Sequence, residues 1–158
     1  MDQRNDRPLA QAVQEFEVSL VDMDPFFIHY TAYTIWMDRG FLHLLKTLGH
    51  PLHTLFAEGY GFPVVHCQLD FWEPAALDER VRLTTALVRL GRTSLTVRYD
   101  FARMEADGSL TPLARGESVH VYTQRATRQA HELPAWLRAL AEGKSRAPTA
   151  LPHEQHHQ

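Results

Sequence analysis

The stretch YTAYTIWMDRGFLHLLKTL, residues 30–48, has the most regular periodicity of the chain. Tyr33, Trp36, Met37, Phe41, Leu44 and Leu48 recur at helical spacing and make one broad apolar stripe. Thr34, Asp38 and Lys46 fall mainly off it. Gly49 fits a C-terminal cap, and Pro51 follows soon after. Gly40 lies inside this helix at a cost of about 1 kcal/mol relative to Ala, so a close approach to a neighbouring backbone is expected there.

Outward from the helix the period changes from 3.6 to 2. Upstream, Phe16-Glu17-Val18-Ser19-Leu20 alternates and predicts a strand. Downstream, Thr54–Glu58 suggests a short helical turn. Val65, Cys67, Leu69 and Phe71 then form an apolar face opposite His66, Gln68 and Asp70, ending at Pro74. Arg80–Leu90 and Ser94–Arg103 read as strands joined at Gly91-Arg92-Thr93. Asp107-Gly108 signals a hairpin into a last strand over Leu113–Thr123. Ala114, Gly116 and Ser118 on that strand are small enough for a helix to pack close. Pro134 opens a short helix through Glu142. One helix covers one face of such a sheet. The predicted class is α+β, an antiparallel sheet curved around a central helix, with a face or edge left for oligomer contacts. The expected division is a leading segment 1–14, one domain over 15–142 and a mobile tail over 143–158.

The bulk properties narrow the functional classes. A chain of 158 residues fits one domain able to bury a core without staples. A net charge of −3 argues against a nucleic-acid binder. Cys67 is the single cysteine, so no intrachain disulfide forms. No stretch approaches a membrane span. Met1 to Ala10 has no signal-peptide core, and the expected location is cytoplasmic. His50, His53 and His66, or His153, His156 and His157 near the end, have no convincing metal-ligand spacing. No metal and no cofactor are implied.

The chemistry-bearing segment is Asp22-Met23-Asp24-Pro25-Phe26-Phe27-Ile28-His29-Tyr30, between the first strand and the helix. An acid just before a helix meets unpaired N–H groups and the positive end of the helix dipole. The same donors can hold a carbonyl oxygen as it becomes an oxyanion, while a carboxylate attacks an acyl carbon or activates water. Read alone, Asp24 is a helix cap more readily than a catalytic acid, because Asp is a favoured capping residue.

Four stretches in order shift that balance. Asp22-Met23-Asp24-Pro25 through Tyr33, Trp36, Met37 and Asp38 resembles the start of the 4-hydroxybenzoyl-CoA thioesterase family. Asp70-Phe71-Trp72-Glu73-Pro74-Ala75 with Asp78-Glu79-Arg80-Val81, then Leu90-Gly91-Arg92-Thr93-Ser94-Leu95, then Gln129 to Pro134, resemble its later strands and turns. The resemblance spans about residues 14–138. It implies a hotdog fold, with the sheet wrapped around the long helix, and an active unit of at least a dimer (homodimer or homotetramer) with sites near the subunit interface. It further implies hydrolysis of an acyl-CoA or acyl-carrier-protein thioester, with Asp24 as nucleophile or general base. The N–H of Tyr30 or His29 would polarise the carbonyl. Many members carry Asp-x-x-Gly here, whereas this stretch appears one residue shorter and carries Phe26-Phe27. That departure motivates a second reading, a non-catalytic hotdog module that binds acyl thioesters. A dehydratase on the same fold fits less well, because no His and acid pair has the arrangement those enzymes use.

Other residues carry two readings each. His29 orients water or substrate, or makes a structural hydrogen bond at the helix start. Arg92, with Thr93 and Ser94, contacts the nucleotide end of coenzyme A by the resemblance, or is simply a solvated turn. Phe26, Phe27, Tyr30 and Trp72 line an acyl pocket or pack in the core. Cys67 and His66 point to opposite faces of a strand, so Cys67 reads as a small buried apolar residue rather than a nucleophile.

Overall fold

The computed structural model describes residues 7–143. The central helix, α1 (Tyr30–Thr47), forms where the stripe predicts it, with Leu48 as C-cap and Gly49 at φ +82. Its buried face includes Tyr33, Trp36, Met37, Phe41, Leu44 and Leu45. That face packs on a five-stranded antiparallel sheet in the order β1 (Ala10–Glu17), β4 (Arg80–Leu90), β5 (Ser94–Met104), β6 (Leu110–Val121), β3 (Val64–Phe71). The layout is the hotdog arrangement, with the core between helix and sheet.

The glycines and small residues let helix and sheet approach. A Cβ at Gly40 would collide with Thr85 Oγ1 and sit 2.9 Å from Leu83 Cδ2, both on β4. A Cβ at Gly116 on β6 would sit 2.8 Å from Met37 Sδ. The close approach at Gly40 is therefore to side chains of the sheet rather than to backbone.

Several boundaries differ from the sequence reading. The first strand spans Ala10–Glu17 rather than Phe16–Leu20, and Leu20–Asp22 is a single 3-10 turn. Ala10 and Ala12 are its buried residues, a weak hydrophobic signal, and its register is fixed by pairing with β4, Ala10 opposite Leu87 and Glu17 opposite Arg80. The predicted turn at Thr54–Glu58 is a short helix, α2 (Leu52–Ala57). β6 begins three residues earlier than expected and includes Pro112, beyond the Phe71–Ala114 pair where β3 ends, so its missing N–H costs no ladder bond to β3. A three-stranded sheet of two-residue strands, β2 (Tyr60–Gly61), β7 (Thr123–Gln124) and β8 (Gln129–Ala130), was not foreseen. The last helix, α3 (Ala135–Ala141), follows Pro134 as expected. The tail read over 143–158, with His153, His156 and His157, lies outside the described residues apart from Gly143.

β3 is an edge strand, and this corrects the reading of its apolar face. Val65 is 60% exposed and Phe71 50%, while Leu69 is partly buried. Cys67 is exposed rather than buried. The alternation is real, but within one chain α1 does not reach far enough to cover it.

Candidate active site

The segment between β1 and α1 is built from short-range hydrogen bonds. Val18 is fully buried; its N–H donates to the Glu79 carbonyl at 2.9 Å and its carbonyl accepts from Asp78 N–H at 2.9 Å, tying the end of β1 to the approach to β4. Asp22 braces the 3-10 turn, its carboxylate accepting from Ser19 N–H at 2.9 Å and Ser19 Oγ at 3.1 Å. Met23 and Ile28 then pair as an isolated antiparallel bridge, and Asp24 N–H donates to the Phe27 carbonyl at 2.8 Å. Asp24-Pro25-Phe26-Phe27 is thus the tip of a tight hairpin, with all four residues exposed. Buried Ile28 anchors it, donating its N–H to the Ala75 carbonyl at 3.0 Å. The two bulky rings replace a flexible turn without opening the loop.

The helix cap is His29, not Asp24. His29 Nδ1 accepts from Thr31 N–H at 3.2 Å and lies 2.7 Å from Thr31 Oγ1, so a neutral ring carries its proton on Nε2. His29 N–H donates to the Asp22 carbonyl at 2.7 Å. The capping account of Asp24 therefore fails, since that role is filled five residues later. Among the described residues the Asp24 carboxylate has no hydrogen-bond or ion-pair partner. The Tyr30 N–H, first in the helix, has no backbone acceptor among them either.

Beside this helix start lies a cleft of about 200 Å³ lined by Ile28, Tyr30, Tyr33, Phe71, Trp72, Glu73 and Pro74. Tyr30 and Trp72 thus line one cleft, from the start of α1 and from just past the end of β3. Asp24, Phe27 and His29 adjoin the same helix start without lining the cleft. Glu73 pairs with Arg103 at 3.1 Å, and the same guanidinium reaches Glu105 at 2.7 Å and Glu79 at 3.4 Å. Hydrogen bonds from Arg103 and Thr111 hold the Glu105 carboxyl below the usual range.

Arg92, Thr93 and Ser94 stand elsewhere. They occupy the β4–β5 turn, where the Arg92 side chain meets Glu132 at 3.4 Å and its carbonyl accepts from Arg138 Nη2 at 2.7 Å. Ser94 opens β5, whereas Arg103 is near its other end, so the length of the strand, roughly 30 Å, separates this turn from the cleft within one chain.

Sequence reasoning missed Glu79, Arg103 and the cleft-lining role of Tyr33. Tyr33 was visible as a member of the apolar stripe and of the first resembling stretch but not as a cleft residue, and the acids and arginine come from separate strands and loops that only the sheet register assembles.

Residues 18–140 match the family model of the thioesterase-like superfamily. A 1,4-dihydroxy-2-naphthoyl-CoA hydrolase of Prochlorococcus marinus is 25% identical over 103 residues, 65% of this chain and 66% of the relative, just under two thirds of its length. Among solved structures, a gentisyl-coenzyme A thioesterase is 26% identical with a TM-score of 0.70, covering 80% of this chain and 98% of that one. The 4-hydroxybenzoyl CoA thioesterase of a Pseudomonas strain is 23% identical with a TM-score of 0.75, covering 83% and 99%, a likeness of fold.

Proposed function

The chain belongs to the thioesterase-like superfamily, and on that premise we propose that it hydrolyses an aromatic acyl-CoA thioester to the free acid and coenzyme A, with Asp24 carrying the reaction. It is a thioester hydrolase. The observation that carries the site assignment is the pairing of an uncommitted carboxylate, Asp24, with an uncommitted N–H, Tyr30, at the start of an 18-residue helix. The thioester oxygen accepts from Tyr30 N–H, where the helix dipole favours negative charge. Asp24 attacks the acyl carbon or draws a proton from the water that attacks it. The carbon–sulfur bond then breaks, and the thiolate leaves and takes up a proton; after direct attack by Asp24, water hydrolyses the resulting acyl-Asp24 anhydride, releasing the free acid and restoring the carboxylate. Tyr30 rather than His29 is proposed as the donor because His29 N–H already bonds to the Asp22 carbonyl.

The cleft supports an aromatic acyl group. It is smaller than the roughly 300–1,000 Å³ usual for drug-sized ligands, and three of its seven residues, Tyr30, Phe71 and Trp72, are exposed aromatics. The similar proteins named above act on ring-bearing acyl thioesters.

A dimer through β3 completes the site. Two-fold antiparallel pairing of β3 sets its Phe71 end beside the Val64 end of the second copy. Val64 shares an end of the sheet with Ser94, since Val64 faces His120 and Ser94 faces Val121. The partner's Arg92 then approaches this cleft across three strand spacings, about 15 Å, where the guanidinium fork suits a coenzyme A phosphate.

Thiol release from short, long and aromatic acyl-CoAs, with Asp24→Ala and Asp24→Asn beside the wild type, tests this. Turnover of aromatic thioesters that falls by about 10²- to 10⁴-fold in both variants is expected. Unchanged turnover in a folded Asp24→Asn would remove Asp24 from the mechanism. Tight acyl-CoA binding with no turnover anywhere would instead establish a binding module.

A further inference from the structure

Glu73 is the one charged residue in the lining of the acyl cleft, whose other walls are aliphatic or aromatic. Its backbone is pinned. Trp72 N–H and Glu73 N–H both donate to the Leu113 carbonyl, at 2.8 and 3.2 Å, and Pro74 confines the residue before it to extended backbone. The Glu73 side chain is 51% exposed and has a single side-chain partner among the described residues, Arg103 at 3.1 Å. That partner does not cancel the charge. The Arg103 guanidinium is shared by three carboxylates: Nη2 serves Glu73, while Nε lies 2.7 Å from Glu105 and 3.4 Å from Glu79. One cation against three anions leaves an excess of negative charge on this side of the cleft. Arg103 itself is outside the lining, and with Nε and Nη2 turned to these acids it is a poor receptor for an anion.

Three aromatic side chains share this cleft with Glu73. Tyr30, Phe71 and Trp72 are 61%, 50% and 55% exposed, so their rings are open to a ligand. Aromatic rings beside a carboxylate suit a cation, because the ring faces attract positive charge and the carboxylate pairs with it. We infer that Glu73 gives the acyl cleft a charge preference, favouring acyl groups that end in a protonated amine and refusing those that end in a carboxylate. This rests on the acyl-thioester reading above. The two ends of the bound acyl group then meet opposite fields. The thioester oxygen, which gains negative charge in the reaction, meets Tyr30 N–H at the positive end of α1. The far end of the acyl group meets Glu73. An acyl carboxylate is thereby brought beside a like charge, the repulsive element by which a site rejects a wrong ligand.

Three benzoyl-CoAs that differ only in the para substituent are the probes. The substituents are methyl, which is neutral, aminomethyl, which is protonated at about pH 7 as a lysine amine is, and carboxyl, which is anionic. Their kcat/KM values are measured in the wild type, Glu73→Gln and Glu73→Asp. In parallel, calorimetry reads the binding of the inert phenacyl thioethers of coenzyme A with the same three substituents. The wild type is expected to favour aminomethyl over carboxyl by roughly tenfold or more, and that ratio to shrink as salt is raised from about 0.02 M to about 0.3 M. Glu73→Gln, which keeps an acceptor for Arg103, is expected to lower the ratio by roughly tenfold, and Glu73→Asp, which keeps the charge, to retain its direction. A ratio near one in the wild type, or one unchanged in Glu73→Gln, overturns the inference and leaves the hydrolase standing. A variant that slows all three compounds alike and melts at a lower temperature also overturns it, because the pair with Arg103 is then structural. Charge-ordered binding that depends on Glu73, with no hydrolysis of any compound, upholds the inference and removes the hydrolase.

Discussion

His120 is a histidine whose protonation state can be derived from its neighbours. It is 4% exposed and stacks on Phe41 of α1 at 4.0 Å. Its Nδ1 lies 2.9 Å from the Phe62 carbonyl, which can only accept, so Nδ1 carries the proton. Nε2 of the neutral ring then accepts from Ser118 Oγ at 2.8 Å, and Ser118 Oγ accepts from Tyr99 at 2.9 Å. The chain runs in one direction and every member is satisfied. A second proton on the ring would make Nε2 a donor to Ser118 Oγ and leave one hydroxyl, that of Ser118 or of Tyr99, with no acceptor in the chain. Burial holds His120 below the ordinary histidine value, against the opposing pull of the Phe62 carbonyl and of Asp38. The unfolded chain therefore takes up a proton that the folded one refuses. This stability is complete above about pH 6.5 and is lost as pH falls below it toward the folded value. Urea midpoints measured from about pH 7.5 down to about pH 5.5 are expected to fall in the wild type and to fall less in His120→Gln. Equal slopes would locate the acid sensitivity elsewhere. At this scale the sequence was partly legible. Asp24 and Tyr30 stood out because a motif placed them beside a helix start. The same rule made Asp24 look like a cap, because residue preference is blind to which residue the chain path delivers to the helix end. His29, a less favoured type, arrives there after the Met23–Ile28 hairpin.

The contact between α1 and β4 depends on Gly40. A methyl group there would meet Thr85 Oγ1 and Leu83 Cδ2. Gly40→Ala gains about 1 kcal/mol of helix propensity but overpacks the interface, which typically costs about 1–3 kcal/mol. A net loss of about 1 kcal/mol is expected from urea unfolding, with partial recovery in Gly40→Ala combined with Thr85→Ala. A stabilised Gly40→Ala would mean that the helix shifts freely on the sheet. The helix and the three central strands were legible because long apolar periods survive without knowledge of neighbours. β1 was misplaced because Ala10 and Ala12 bury little surface and so carry little signal. β2, β7 and β8 have two residues each, too few to display a period of two. They exist through tertiary pairing alone, Tyr60 with Gln124 and Thr123 with Ala130.

At the scale of the whole molecule, the described residues leave the β3 flank uncovered. Val64, Val65, Phe71 and Trp72 are all more than half exposed or close to it, at 55%, 60%, 50% and 55%, along the β3 edge and just beyond it. A surface substitution at such a site in a monomer changes stability by about 0.5 kcal/mol or less. Val65→Lys is therefore expected to leave the melting of the single chain intact while dissociating a β3 dimer. Light scattering at micromolar concentration and thiol release on the same samples check this, with mass and activity expected to fall together. A wild type that is monomeric and fully active would rule out the shared site. The side-chain alternation of β3 was readable in the sequence, but that it borders the sheet was not, because edge position depends on the order β1-β4-β5-β6-β3. That open border also sets a clock. Its outer row of amide and carbonyl groups is a template for any extended chain that arrives first. In the proposed β3 dimer, closure by a second copy is bimolecular, so the time a newly folded chain stays open lengthens in proportion as its concentration falls. Slow expression then prolongs exposure to foreign strands, while fast expression raises the number of half-folded ones. Between these limits, the yield of correctly closed protein is expected to pass through a maximum as synthesis rate is varied.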